Sequence, residues 1–132
     1  MGKPAFDLEE RLLDYAAGIV RLVERLPQTR AGNHIAGQLL RSGTSPLPNH
    51  GEAQAAESRS DFIHKMQICL KELRETRRWL LLIQRVPLLK PASQVDSFIS
   101  ETEALIKIFF TSIRTAKKSP LKVERPTSSV ES

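Results

Sequence analysis

Apolar residues recur at spacings of three and four in four separate stretches of this chain, and no stretch shows the alternation of a strand. That pattern restricts the chain to an all-α fold. The first stretch runs from Asp7 to Leu26 and stops at Pro27, with Leu8, Leu12, Tyr15, Ile19, Leu22, Val23 and Leu26 on one stripe. Leu13 and Val20 form a second line beside it. Asp7 stands where an N-cap belongs, and Glu9 and Glu10 follow where the helix dipole favours negative charge. The second stretch reaches from Thr29 to Ala56. On propensity alone its middle, Ser42-Gly-Thr-Ser-Pro-Leu-Pro48, reads as a break.

The third stretch, Ser60 to Arg85, is the most apolar, and Ser60 is its expected cap. Phe62, Met66, Cys69, Leu73, Thr76, Leu80 and Ile83 make the main stripe. Ile63, Leu70 and Leu81 lie to one side of it, and Ile68, Trp79, Leu82 and Val86 to the other. A surface helix needs an apolar arc of only ~100°. Such a helix is either the most buried of the bundle or faces another subunit as well. The fourth stretch, Ser93 to Lys117, puts Val95, Phe98, Ile99, Thr102, Leu105, Ile106, Phe109, Phe110 and Ile113 on one face.

Four helices with short connections pack most simply as an antiparallel up-down-up-down four-helix bundle, here spanning residues 1–118. Residues 119–132 contain two prolines and four serines and few apolar side chains, and are expected to form a disordered tail. A chain of 132 residues is one domain's length. Its longest unbroken apolar run, Trp79 to Ile83, is too short to span a membrane. No leader-like apolar stretch opens the chain, so a cytoplasmic location is the expectation.

The catalytic inventory is thin. The single cysteine, Cys69, excludes an intrachain disulfide framework and a cysteine-rich zinc site, and its place on the core stripe suits an inert thiol. Among the three histidines, only His64, in Asp61-x-x-His64, resembles a carboxylate-bundle metal motif, and it has no second copy. There is no phosphate-binding glycine loop. The expectation is a protein without catalytic residues, metal or cofactor.

Charge is more informative. Lys and Arg number 20 against 15 acids, a net charge of +5. Residues 107–132 hold six of the basic residues and only two of the acids. In the third stretch Lys71, Arg74, Arg78 and Arg85 share a narrow arc with Arg77 beside it. Lys107, Arg114, Lys117 and Lys118 load the C-terminal half of the fourth, and of these Arg114, Lys117 and Lys118 join the cations of the third stretch as candidate contacts. Cations spaced along a helix can follow the phosphates of a nucleic acid. The competing reading is a solvated face or an intersubunit salt-bridge network, neutralised in part by Glu72 and Glu75. A second pattern is polar. Ser45, Asn49 and Glu52 share a face if the helix continues through the prolines, and Glu72 is positioned to meet them across a helix contact. A layer of that kind fixes register more often than it does chemistry.

The run Ser45-Pro-Leu-Pro-Asn49-His-Gly-Glu52-Ala53 resembles the S-x-x-x-N-x-x-E signature of one family. So does Ser60-Asp-Phe-Ile-His-Lys65 leading into Leu70-Lys-Glu-Leu-Arg-Glu-Thr-Arg-Arg-Trp-Leu80. The family is the small four-helix-bundle proteins encoded in intervening sequences of 23S rRNA genes. A relative is the accessory variability protein of diversity-generating retroelements. The resemblance implies a second helix that runs through Pro46 and Pro48 with a kink. It also implies assembly as a ring-like homo-oligomer, a homopentamer, and association with nucleic acid, RNA rather than DNA. It implies no catalytic activity. The sequence departs from the common Asn-Ile-x-Glu-Gly at Asn49-His50-Gly51-Glu52-Ala53. An alternative function is a scaffold whose ring docks a partner protein.

Overall fold

The computed structural model describes residues 7–118. The expected disordered tail, 119–132, and the first six residues of the expected domain lie outside the described residues. Within them the protein is all-α, four helices with no strand. α1 spans Leu8–Glu24. The Asp7 carboxylate caps it, accepting from the Glu10 backbone N–H at 3.1 Å.

The second helix is made of two segments, α2 (Arg30–Thr44) and α3 (Pro46–Gln54). Thr29 caps α2 through the Gly32 N–H at 3.0 Å. Ser45, between the segments, keeps helical backbone angles of φ −58° and ψ −38°. The Ser45 N–H reaches the Arg41 carbonyl at 3.2 Å, and the Asn49 N–H reaches the Ser45 carbonyl at 3.3 Å. The helical course therefore passes through the prolines, against their propensity. Pro46 and Pro48 fall in the first turn of α3, where a missing N–H costs least.

α4 (Arg59–Arg85) is the longest helix, at 27 residues. Its cap is Ser58, which accepts from the Asp61 N–H at 3.1 Å, rather than Ser60, which lies in the first turn. A 3₁₀ turn at Ala92–Val95 leads into α5 (Asp96–Lys118), so the fourth helix proper begins three residues after the sequence expectation of Ser93.

The core is built from the expected stripes. Leu12, Ile19 and Leu22 of α1, Leu39 of α2, Met66, Leu73, Leu80 and Ile83 of α4, and Leu105 and Phe109 of α5 are all fully buried. Each such side chain contributes roughly 1.5–3 kcal/mol. α4 packs against α2, α3 and α5, which accounts for its broad apolar arc. Two apolar residues at its end remain uncovered, Leu82 at 41% and Val86 at 54% exposure.

Neighbouring helices are tied by pairs whose residue numbers run in opposite senses. Between α3 and α4 these are Glu52 with Lys65 at 2.6 Å and Pro46 with Cys69 at 3.6 Å. Between α4 and α5 they are Arg77 with Glu103 at 2.7 Å and Gln84 with Asp96 at 2.5 Å. No helix among the described residues is long and apolar enough to cross a membrane.

Candidate functional site

Helical spacing places Lys71, Arg74 and Arg78 on one exposed line of α4. On α5 the same geometry lines up Lys107, Phe110, Arg114 and Lys117 at spacings of three, four and three. Between the two helices lie two adjoining hollows. One, of about 400 Å³, is lined by Arg74, Arg77, Arg78, Glu103, Ile106 and Lys107. The other, of about 270 Å³, is lined by Gln67, Leu70, Arg74, Phe110, Ile113, Arg114 and Lys117. Arg74 borders both, so they form one groove with cationic walls and an apolar floor.

Of the residues singled out from sequence, Arg74, Arg77, Arg78, Arg114 and Lys117 border this groove. Lys71, Arg85 and Lys118 are exposed but line neither hollow. Lys107, one of the basic residues of the fourth stretch but not one of the candidate contacts, also borders the groove, two turns before Arg114 on the same line. The sequence places Phe110 on the same apolar face as Phe109. Phe109 is fully buried, whereas Phe110 is 47% exposed. The Arg114 guanidinium sits 5.6 Å from the Phe110 ring centroid, in cation–π range.

Glu72 and Glu75 of α4, expected to neutralise the stripe in part, do not neutralise this groove. Arg41 of α2 takes both of them, with Nη1 3.0 Å from Glu72 Oε1 and Nη2 on Glu75 Oε2. Trp79 Nε1 also donates to Glu75 Oε2 at 3.0 Å. Glu72 and Glu75 therefore face α2. On the groove side Glu103 pairs with Arg77 at 2.7 Å. Among the described residues, Arg74, Arg78, Lys107, Arg114 and Lys117 enter no ion pair.

Among the described residues, the expected polar layer of Ser45, Asn49, Glu52 and Glu72 does not form one network. Asn49 Nδ2 donates to the Ser45 carbonyl and hydroxyl, both at 3.0 Å. Glu52 turns outward to Lys65 and Glu72 to Arg41. The buried cross-helix polar pairs are others. Ser42 Oγ and Thr76 Oγ1 lie 2.8 Å apart, and Tyr15 Oη and Thr102 Oγ1 lie 2.6 Å apart.

Cys69 is fully buried, its thiol pushed up to about 12 by burial, and it donates to the Pro46 carbonyl at 3.6 Å. Asp61 and His64 are exposed. Among the described residues no three His, Cys, Asp or Glu side chains are grouped as metal ligands.

Residues 7–111 match the family model of the 23S rRNA-intervening sequence protein. The chain belongs to that family. The match spans α1 to α4 and most of α5, so it includes Lys71, Arg74, Arg77, Arg78 and Phe110, whereas Arg114, Lys117 and Lys118 lie beyond its end. The fold is similar to a crystal structure from Bacteroides thetaiotaomicron, described as a protein of unknown function from the S23 ribosomal protein family. That structure is 34% identical, with a TM-score of 0.76, over 82% of this chain and 99% of the other. No curated protein matches the chain.

Proposed function

We propose that this protein is a non-enzymatic nucleic-acid-binding protein that holds phosphates in the groove between α4 and α5, with RNA preferred over DNA. The observation that carries this reading is the groove's charge: among the described residues, five cations without an ion pair line it, and Glu103 is its one lining acid. An arginine line can hold phosphate oxygens with paired N–H donors, while lysines add charge without fixed geometry. The family's link to intervening sequences of 23S rRNA supports RNA as the polyanion. Contacts of this kind are to backbone phosphate and carry little sequence information.

The working form in this reading is a cytoplasmic ring of five up-down-up-down bundles. The opposite running of the α3–α4 and α4–α5 pairs supports the topology. The exposure of Leu13 and Val20 on α1, and of Leu82 and Val86 at the end of α4, supports self-association. Five grooves on one ring raise avidity although each is weak alone. Ser45, Asn49 and Glu72 serve register and packing.

The test is a triple charge reversal, Arg74→Glu, Arg78→Glu and Arg114→Glu, with binding to labelled structured RNA and duplex DNA measured by anisotropy at two salt concentrations. Loss of binding with an unchanged helical spectrum and light-scattering mass supports the reading. Unchanged RNA affinity overturns it. The exposed Leu82 and Val86 favour a second reading, a scaffold that docks a partner protein. Docking on an apolar surface is insensitive to salt, whereas phosphate binding weakens steeply with it.

A further inference from the structure

The Phe110 ring is out of place on a surface built for charge. It stands in the groove between Arg74 and Arg114, 47% exposed, one residue from the fully buried Phe109. A phenyl ring offers a phosphate no donor, and the Arg114 guanidinium beside it still leaves it 47% exposed. Its neighbours in the same hollow, Leu70 and Ile113, extend the apolar floor. A duplex must unstack a base step before it can use such a ring, because its bases are already stacked on one another. A single strand need not, because an unpaired base offers a π-face to any aromatic side chain set among cations.

We propose that the groove takes single-stranded nucleic acid and lays one base on the Phe110 ring. This rests on the nucleic-acid reading above and names the form of the ligand. The base takes the place over the ring that the Arg114 guanidinium holds at 5.6 Å. Arg114, thus displaced, meets a phosphate of the same strand. Arg74, which borders both hollows, holds the strand on the opposite wall.

The experiment compares Phe110→Leu, Phe110→Tyr and Phe110→Trp in the full chain. The probes are a labelled oligouridylate and a labelled RNA hairpin with a long stem. Phe110→Leu keeps apolar bulk and loses the π-face, so oligouridylate binding should weaken at least tenfold while stem binding changes less than twofold. Phe110→Tyr should bind like the unsubstituted protein. Phe110→Trp should show quenching on adding oligouridylate beyond that of the single native tryptophan, Trp79. Equal oligouridylate affinity for Phe110→Leu and the unsubstituted protein overturns stacking while leaving the phosphate reading intact. Failure of the unsubstituted protein to bind either probe overturns that reading, and this one with it. A change of light-scattering mass in Phe110→Leu marks the ring as a subunit contact and overturns stacking as well.

Discussion

The Tyr15 hydroxyl lies 2.6 Å from the Thr102 hydroxyl, and Thr102 in turn donates to the Phe98 carbonyl one turn back on α5, also at 2.6 Å. Both side chains are buried. Burial pushes the Tyr15 phenol well above its ordinary range, so it stays neutral and able to donate. An arrangement of the same kind joins α2 to α4, where Thr76 lies 2.8 Å from both Ser42 Oγ and the Glu72 carbonyl oxygen. Two hydroxyl pairs thus pin the registers of α1 on α5 and of α2 on α4 inside a largely apolar core. Each pair is satisfied on both sides, which lets it specify alignment without a desolvation penalty.

Removing one half of the Tyr15–Thr102 pair should cost more than removing both. Thr102→Val leaves the Tyr15 hydroxyl buried without its partner, a loss of about 1–3 kcal/mol. Tyr15→Phe leaves Thr102 bonded to Phe98 and should cost about 1 kcal/mol. The double variant should be more stable than the sum of the singles. Urea unfolding of the four proteins checks this, and strict additivity would show the two hydroxyls to be uncoupled.

The apolar period placed Tyr15, Thr76 and Thr102 on their stripes correctly, because a helix period fixes which face a residue takes. Other partners are hidden from the sequence for different reasons. Ser42 sits in a run of glycine, serine and proline that reads as a turn, whereas it stays within α2 and both prolines fall in the first turn of α3. Arg41, which takes Glu72 and Glu75 away from the groove, stands 31 and 34 residues from them in sequence. No local spacing reports such a pairing. Phe109 and Phe110 are ~100° apart on the helix, and a broad apolar arc admits both. Only the position of α4 decides that one fills the core and the other the groove.

The α1–α2 contact has no room for a side chain at two glycines. A Cβ on Gly43 would stand 2.8 Å from Ile19 Cγ2, a branched and fully buried neighbour. Gly43→Ala should therefore destabilise by about 1–3 kcal/mol through overpacking. A Cβ on Gly32 would stand 1.9 Å from the Pro27 carbonyl oxygen, which as backbone has less freedom to move, so Gly32→Ala should cost more. Gly37 has nothing within 4 Å of its Cβ position. Gly37→Ala should stabilise by about 1 kcal/mol from helix propensity alone. Thermal unfolding of the three variants should give that order, and a stabilised Gly43→Ala would contradict the close α1–α2 approach.

Stability should fall with acid through His50. Its ring is buried against Phe109, at a centroid distance of 6.1 Å, and Nδ1 has no hydrogen-bond partner among the described residues. Burial lowers its pKa and outweighs the opposing charge of Glu9. The folded protein thus binds this proton less readily than the unfolded chain does. The resulting stability is present above the unfolded value of about 6.5 and is lost as pH falls below it. His50→Leu removes the orphaned nitrogen and should flatten the dependence between about pH 7.5 and pH 5. Urea midpoints across that range decide it, and an equal slope in variant and unsubstituted protein would assign the acid sensitivity elsewhere.

Salt dependence should separate the cations of the groove from one another. Arg74 borders both hollows and has no ion pair among the described residues, so it is available to a phosphate. Arg74→Ala should lower the slope of log affinity against log salt by about 1. Arg77 is already paired with Glu103 at 2.7 Å, so Arg77→Ala should change the slope less. Glu103→Gln removes the one acid that lines the groove, and it should tighten binding and raise the salt slope. Titrations of the three variants with one structured RNA, at several salt concentrations, give the comparison. Equal slopes for Arg74→Ala and Arg77→Ala would mean that the Glu103 pair opens on binding. Unchanged slopes in all three would place the phosphates on another face, with exposed Lys71, Arg85 and Lys118 the next cations to reverse.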